Sequence, residues 1–339
     1  MTRPRFKKLK LALLLIAVLF GASLAVRYYN LYRYHLEKQT AFMMDTFVTL
    51  HAVGPKKTTS RAVRLALDRM QELDTKLNHL NPKSPVYAFN QNGTPITDPE
   101  VLGLVKAALE VAGASDGAFD ITIEPLVETW GFYGKSPHVP DDKDVKTALD
   151  AVGYQFLVLG ESKLEKKKAS VRIDLGGIAK GYIVQEAAKV LKKEGVTSAL
   201  IDAGGDVYAL GKKGSDLWKV GIRNPRGEDL LGYVEVEDLA VMGSGDYERF
   251  FEENGKRYHH LFNPKTGYPA EGVIGTTIIH ADPVIANAWS KPIFVLGAER
   301  GMQLVKRIPG MEAIVVKSSG EVLYTDGLKH ALHSIAKNQ

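Results

Sequence analysis

The chain changes its apolar period in a definite order. Residues 43–53, MMDTFVTLHAV, alternate apolar and polar side chains as a half-buried strand does. SRAVRLALDRMQELDTKLNHL follows, with Val63, Leu67, Met70, Leu73, Leu77 and Leu80 at helical spacing, and Asn81-Pro82 ends the predicted helix. Asp98-Pro99 opens a second helix, a cap followed by a proline in the first turn, with Val101, Leu104, Val105, Ala108 and Leu109 on one face. A short third helix is predicted over residues 142–152.

RIDLGGIAKGYIV, residues 172–184, has the pattern of a strand-to-helix turn. The apolar run Val171, Ile173, Leu175 stops at two glycines, and a helix then carries Ile183, Ala187, Val190 and Leu191 inward until Gly195. Short strands are predicted in SALIDAGG, VYALG, WKVGIR, YVEVEDLAVMGSG and RYHHLFN. Another helix begins at Asp282-Pro283 and is interrupted by Pro292; AERGMQLVKRI supplies one more, and MEAIVVKSSGEVLYT closes the chain as a hairpin. No repeat, low-complexity tract or linker divides this run. The predicted fold class is α/β (α+β), a single body of mixed, largely antiparallel sheet with flanking helices over residues 40–339.

Residues 1–39 read differently. MTRPRFKKLK carries Arg3, Arg5, Lys7, Lys8 and Lys10, and residues 11–26 are uninterruptedly apolar or small. A basic segment followed by an apolar run is an export signal or an N-terminal anchor. RYYNLYRY suits the far membrane interface, with the basic side left in the cytoplasm. The expectation is an inner-membrane anchor with the body outside the cytoplasm; the alternative is secretion after cleavage near residues 22–25.

Charge sharpens this division. The 339 residues carry 44 Lys and Arg against 39 Asp and Glu, for a net charge of +5. The excess sits in residues 1–38, and the remainder is slightly acidic, so the body gives no support to nucleic-acid binding. With no cysteine, disulfides and thiolate chemistry are excluded.

The glycine turn lacks both a G-x-G-x-x-G fingerprint and a Walker Lys-Ser/Thr, which weakens a dehydrogenase or P-loop reading. It does have Asp174 before the turn and Lys180 after it, a pair able to hold a diphosphate, or a metal beside one, against exposed amides. GAFDITIEPLVETWGF sets Asp120, Glu124 and Glu128 among Phe119, Trp130 and Phe132, though an ordinary core strand and helix start would use the same residues. In HHLFNPKTGYP the adjacent histidines face opposite sides of a strand, which argues against a shared metal and for one histidine as acid or base. No G-x-S-x-G elbow is present.

In this order, GAFDITIEPLVETWGF, IDLGGIAKGY, LIDAGGDV, GIRNP, GSGDYERF and HHLFNPKTGYP resemble the FAD:protein FMN transferases, the ApbE family, from Met44 to about residue 297. The resemblance implies that FAD is split at its diphosphate near a magnesium ion. FMN is then joined to a Ser or Thr of an acceptor protein, within a stretch like S/T-G-A-S/T, and AMP is released. By position, Met44 would touch the flavin nucleotide, with Asp45 standing at a family glycine. Ala118, Phe119 and Asp120 match the nucleotide-binding Ala-Phe-Asp, and Asp174 and Lys180 flank the diphosphate loop. The Gly177 carbonyl would face the metal, Leu261 would contact the cofactor, and His260, immediately before it, would take the acceptor hydroxyl's proton, with Asp174 the next candidate for that catalytic role. ANAWSKPIFVLG departs from the family: Asn287 stands at its metal-binding Asp and Lys291 at its metal-binding Thr, so weakened magnesium dependence is expected. Two other functions compete: hydrolysis of FAD to FMN and AMP, and flavin binding without catalysis.

Overall fold

The computed structural model describes Lys10 and residues 13–26, 35–134, 136–329 and 331–334. Residues 13–26 form a helix, α1, with exposed side chains. No helix of the described residues is long and apolar enough to cross a membrane.

The body begins at β1 (His35–Met43), earlier than the expected residue 40, and β1 pairs antiparallel with β2 (Thr46–Gly54). One strand was predicted here and two are found. Met44 and Asp45 form a two-residue turn with φ of 53° and 58°, and alternation runs through such a turn without a visible break.

The helices α2 (Lys56–Leu77), α3 (Pro85–Asn92) and α4 (Pro99–Ala114) follow. Along α2, Ala62, Val63, Ala66, Met70, Leu73 and Leu77 are buried; each large side chain contributes roughly 1.5–3 kcal/mol. Asp98 caps α4 as predicted, its carboxylate accepting from Glu100 N and Val101 N. The short helices α5 (Glu124–Thr129) and α6 (Asp142–Leu149) and the small hairpin β3 (Leu157–Leu159) and β4 (Leu164–Lys166) lead to α7 (Gly176–Lys193).

The segment before α7 is extended but is no strand, contrary to expectation. Val171, Ile173 and Leu175 are fully buried, and the Asn90 side chain serves Ile173 from both sides, accepting from its N–H and donating to its carbonyl at 2.8 Å each. A side-chain amide here takes the place of a neighbouring strand.

The remaining elements are β5 (Ala199–Ala203), β6 (Asp206–Leu210), β7 (Trp218–Arg223), β8 (Leu230–Val236), β9 (Leu239–Gly245), β10 (Phe250–Glu253), β11 (Lys256–His259), β12 (Val273–His280), α8 (Pro283–Leu296), α9 (Ala298–Val305), β13 (Glu312–Lys317), β14 (Val322–Tyr324) and β15 (Leu332–Ser334). An eight-stranded sheet runs β1-β2-β5-β6-β9-β12-β13-β14. Every pair in it is antiparallel, so the sheet is antiparallel rather than mixed. The main core lies between its one face and the helices, with α2, α7 and α8 central. A second core joins the other face to the small sheet β15-β8-β7. Pro292 does not interrupt α8: the helix continues past it, and Ser290 Oγ and Lys291 Nζ both donate to the Asn287 carbonyl one turn back.

Candidate active site

The N-terminus of α7 opens into a cavity of about 120 Å³. Its walls bring together Ala118, Phe119, Asp120, Asp174, Gly177, His260, Leu261 and Lys291, eight of the residues that sequence reasoning singled out. Segments far apart in sequence meet here: the stretch leading into α5, the N-terminus of α7, the residues after β11, and α8.

The glycine turn is shaped by contact. A Cβ on Gly177 would lie 2.9 Å from the Phe119 ring, so a larger residue would close the gap between the loop and the helix end. Asp174 accepts from Gly176 N at 2.7 Å and from the Tyr133 hydroxyl at 2.6 Å. His79 Nδ1 lies 3.5 Å from the same carboxylate, and its ring rests on Tyr133 with centroids 4.6 Å apart. Burial, then the adjacent Asp174, raises the Tyr133 phenol well above its usual range, so it keeps the proton it donates.

The two histidines divide as the strand alternation predicted. His259 is buried, with Nε2 2.9 Å from the Ala270 carbonyl and Nδ1 accepting from Leu261 N, which uses both ring nitrogens. His260 faces the cavity. Its Nδ1 lies 3.2 Å from the Arg249 carbonyl, which only accepts, so Nδ1 carries the proton and Nε2 offers its lone pair. Burial first, then the Arg249 guanidinium, hold the imidazole well below its usual pKa, so it is neutral near pH 7.

Other predicted residues stand elsewhere or are already engaged. Asp120 lines the cavity, but its oxygens accept from Thr122 N (2.8 Å), Thr122 Oγ1 (2.6 Å) and Tyr154 N (2.7 Å). It shapes the loop that carries Phe119. Glu124 and Glu128 pair with Arg172 and are not in the cavity wall. Met44 sits in the β1–β2 turn, its N–H donating to Asp74, also outside the cavity wall. Lys180 reaches Asp206 Oδ2 at 3.4 Å.

Asn287 is fully buried beside α7, where its Oδ1 accepts from Gly181 N at 3.3 Å and its Nδ2 has no partner among the described residues. Lys291 lines the cavity and donates to the Asn287 carbonyl at 2.9 Å. Burial pulls its ammonium down to about 8, with Asp206 opposing. Lys291 brings N–H donors to the cavity and the Asn287 side-chain oxygen is taken by Gly181 N–H, whereas magnesium needs oxygen ligands. Among the described residues no group of three or more His, Cys, Asp or Glu side chains is placed to hold a metal. The residues present do not fit the ion that the resemblance implies.

Sequence reasoning assigned no site role to Tyr133, His79, Asp206 or Arg249. Asp206 and Arg249 lay inside quoted motifs; Tyr133 lay one residue beyond one. For His79 no sequence signal existed, since only the fold brings the end of α2 to Asp174.

The ApbE family model matches residues 44–315. A FAD:protein FMN transferase of Klebsiella pneumoniae is 31% identical over 266 residues, covering 76% of this chain and 79% of that protein. Among solved structures, an ApbE protein of Thermotoga maritima superposes with a TM-score of 0.83 at 33% identity, covering 88% of this chain and 99% of its own. The flavinyl transferase ApbE of Pseudomonas stutzeri gives 0.77 at 31% identity, with 89% and 98% covered. A model matched over most of the length, and a fold shared almost end to end, leave one conclusion: the chain belongs to the ApbE family.

Proposed function

We propose that this chain is an FAD:protein FMN transferase. It takes FAD as substrate, transfers FMN to a Ser or Thr hydroxyl of an acceptor protein and releases AMP. The observation that carries the reading is His260, a neutral imidazole with its free nitrogen turned into the cavity beside the α7 N-terminus.

A helix N-terminus offers unpaired amides and a partial positive charge to a diphosphate. With the diphosphate there, His260 Nε2 takes the proton of the acceptor hydroxyl as its oxygen attacks the flavin-side phosphorus. The new O–P bond replaces the bond to the bridging oxygen, which leaves with AMP. Phosphoryl transfer asks the protein for alignment and charge neutralisation more than covalent help. Asp174, fixed by Tyr133 and Gly176, holds the loop that supplies the amides. No step is assigned to magnesium.

His260→Ala should retain FAD binding, followed by flavin fluorescence, and lose transfer about 10²–10⁴-fold, followed as fluorescence on an acceptor protein. An unchanged rate would overturn the assignment. AMP release without acceptor labelling in the wild type would favour FAD hydrolysis, and binding without either product would favour a non-catalytic flavin protein.

The N-terminal segment is proposed to anchor the body to the inner membrane, with the transferase on the extracytoplasmic side. Five basic residues ahead of the apolar run support this, as does the exposed apolar surface of Leu13, Leu14, Leu15, Ile16, Leu19 and Phe20.

A further inference from the structure

Lys291 sets an ammonium in the cavity wall where a divalent ion would need an acceptor. Lys291 and Asn287 share one face of α8, four residues apart. The Asn287 carboxamide gives its oxygen to Gly181 N–H and leaves Nδ2 buried without a partner among the described residues. Of the three N–H bonds of the Lys291 ammonium, one goes to the Asn287 carbonyl. The other two belong to a residue in the cavity wall and call for an anion.

The nearby carboxylates do not restore a cation site. Asp206 accepts from Gly243 N at 2.9 Å and stands 3.4 Å from Lys180. Asp174 is taken by Gly176, Tyr133 and His79. Around Lys291 the charged neighbours are Asp206 and Glu248 against Lys180 and Arg249.

Resting on the transferase reading above, we infer that this chain works without a divalent cation: the Lys291 ammonium, held by the Asn287 carbonyl, supplies the positive charge for the FAD diphosphate. The chemistry stays balanced. The bridging oxygen leaves with AMP beside Lys291, the acceptor proton goes to His260, and no metal-bound species is needed. A fixed ammonium is a point charge that needs no assembly before reaction.

The test uses the full chain, FAD, and an acceptor fusion carrying a Ser-Gly-Ala-Thr stretch. FAD affinity and transfer are measured in EDTA and in magnesium chloride. The wild type should show the same affinity and rate, within about twofold, in both. Lys291→Met should lose about 10–100-fold in FAD affinity, with no rescue by magnesium. Asn287→Asp with Lys291→Thr should gain a bound-manganese signal by electron paramagnetic resonance and a dependence on added cation. Wild-type transfer abolished by EDTA and restored by magnesium would overturn the inference, as would one manganese bound per wild-type chain with FAD. If no transfer occurs in either buffer, the function reading fails; the FAD affinities and the manganese spectra still decide the metal question. Should Lys291→Met fail to fold, Lys291→Arg decides: affinity that stays independent of magnesium supports the inference, and affinity that becomes magnesium-dependent refutes it.

Discussion

Gly181→Ala tests whether the packing of two helices places the cationic group. Gly181 lies inside α7, where an added Cβ would stand 2.3 Å from the Pro283 carbonyl oxygen and 2.8 Å from Asn287 Cβ. Both belong to α8, the helix that carries Lys291. A backbone carbonyl cannot swing aside as a long side chain can. Ordinary contact begins at 3.4 Å, so the helices must part by about 1 Å. Overpacking of this kind costs about 1–3 kcal/mol, which outweighs the gain of up to about 1 kcal/mol from replacing a helical glycine. Thermal unfolding should therefore move down by about 2–8 °C. Misplacement by about 1 Å near the chemistry costs about 10²-fold in rate, so transfer should fall further than stability alone explains. Gly103→Ala is the matched control. It is an exposed glycine in α4 with nothing within 4 Å of its added Cβ, and it should stabilise by about 0.5–1 kcal/mol with transfer unchanged. Differential scanning calorimetry and transfer assays on the two variants settle it. A Gly181→Ala protein as stable and as active as the wild type would refute the claim that this contact positions α8.

The pH profile of kcat/KM should keep its rate as pH falls through 6.5, the usual imidazole value, and drop only lower, because His260 titrates well below that range. Arg249→Gln removes a charge that holds the imidazole down, so the acid limb should move to higher pH; an unmoved limb would assign it to another group. Folding shows the linked sign: below 6.5 the unfolded chain takes up a proton that folded His260 refuses, so this group favours unfolding in acid. A reporter fused after residue 40 should be active outside the cytoplasm; activity confined to the cytoplasm would refute the anchor.

Most elements were legible because each carries its own period or punctuation. Asp98-Pro99 and Asp282-Pro283 announce two helix starts, and both aspartates accept from the first-turn amides. One failure comes from a backbone served by something distant in sequence. Nothing in RIDLGG shows that its ladder partner is the side chain of Asn90, so it reads as a strand. At Pro292 the proline removes one helical N–H, and α8 continues past it all the same. The turn at Met44 and Asp45 failed for a different reason: a two-residue hairpin leaves the alternation of the strands intact on both sides.

The site divides along the same line. Residues whose chemistry follows from their own position were found: His260, Asp174, Gly177 and Lys291 all reach the cavity. What the sequence could not give was which groups are already spent. Asp120 carries the same carboxylate as Asp174, but Thr122 and Tyr154 saturate it from its own loop and from one beyond. Two adjacent histidines differ only in what the fold offers them. His259 meets the Ala270 carbonyl and the Leu261 amide and becomes part of the core; His260 meets one carbonyl and keeps a free nitrogen. The same reasoning bears on Asn287 and Lys291. In sequence they are two departures from a metal-binding pattern and suggest weakened magnesium dependence. In space, the Asn287 oxygen is spent on the Gly181 amide and its carbonyl holds the Lys291 ammonium in the cavity wall, so a position that would need an oxygen ligand for a cation presents a point charge to an anion.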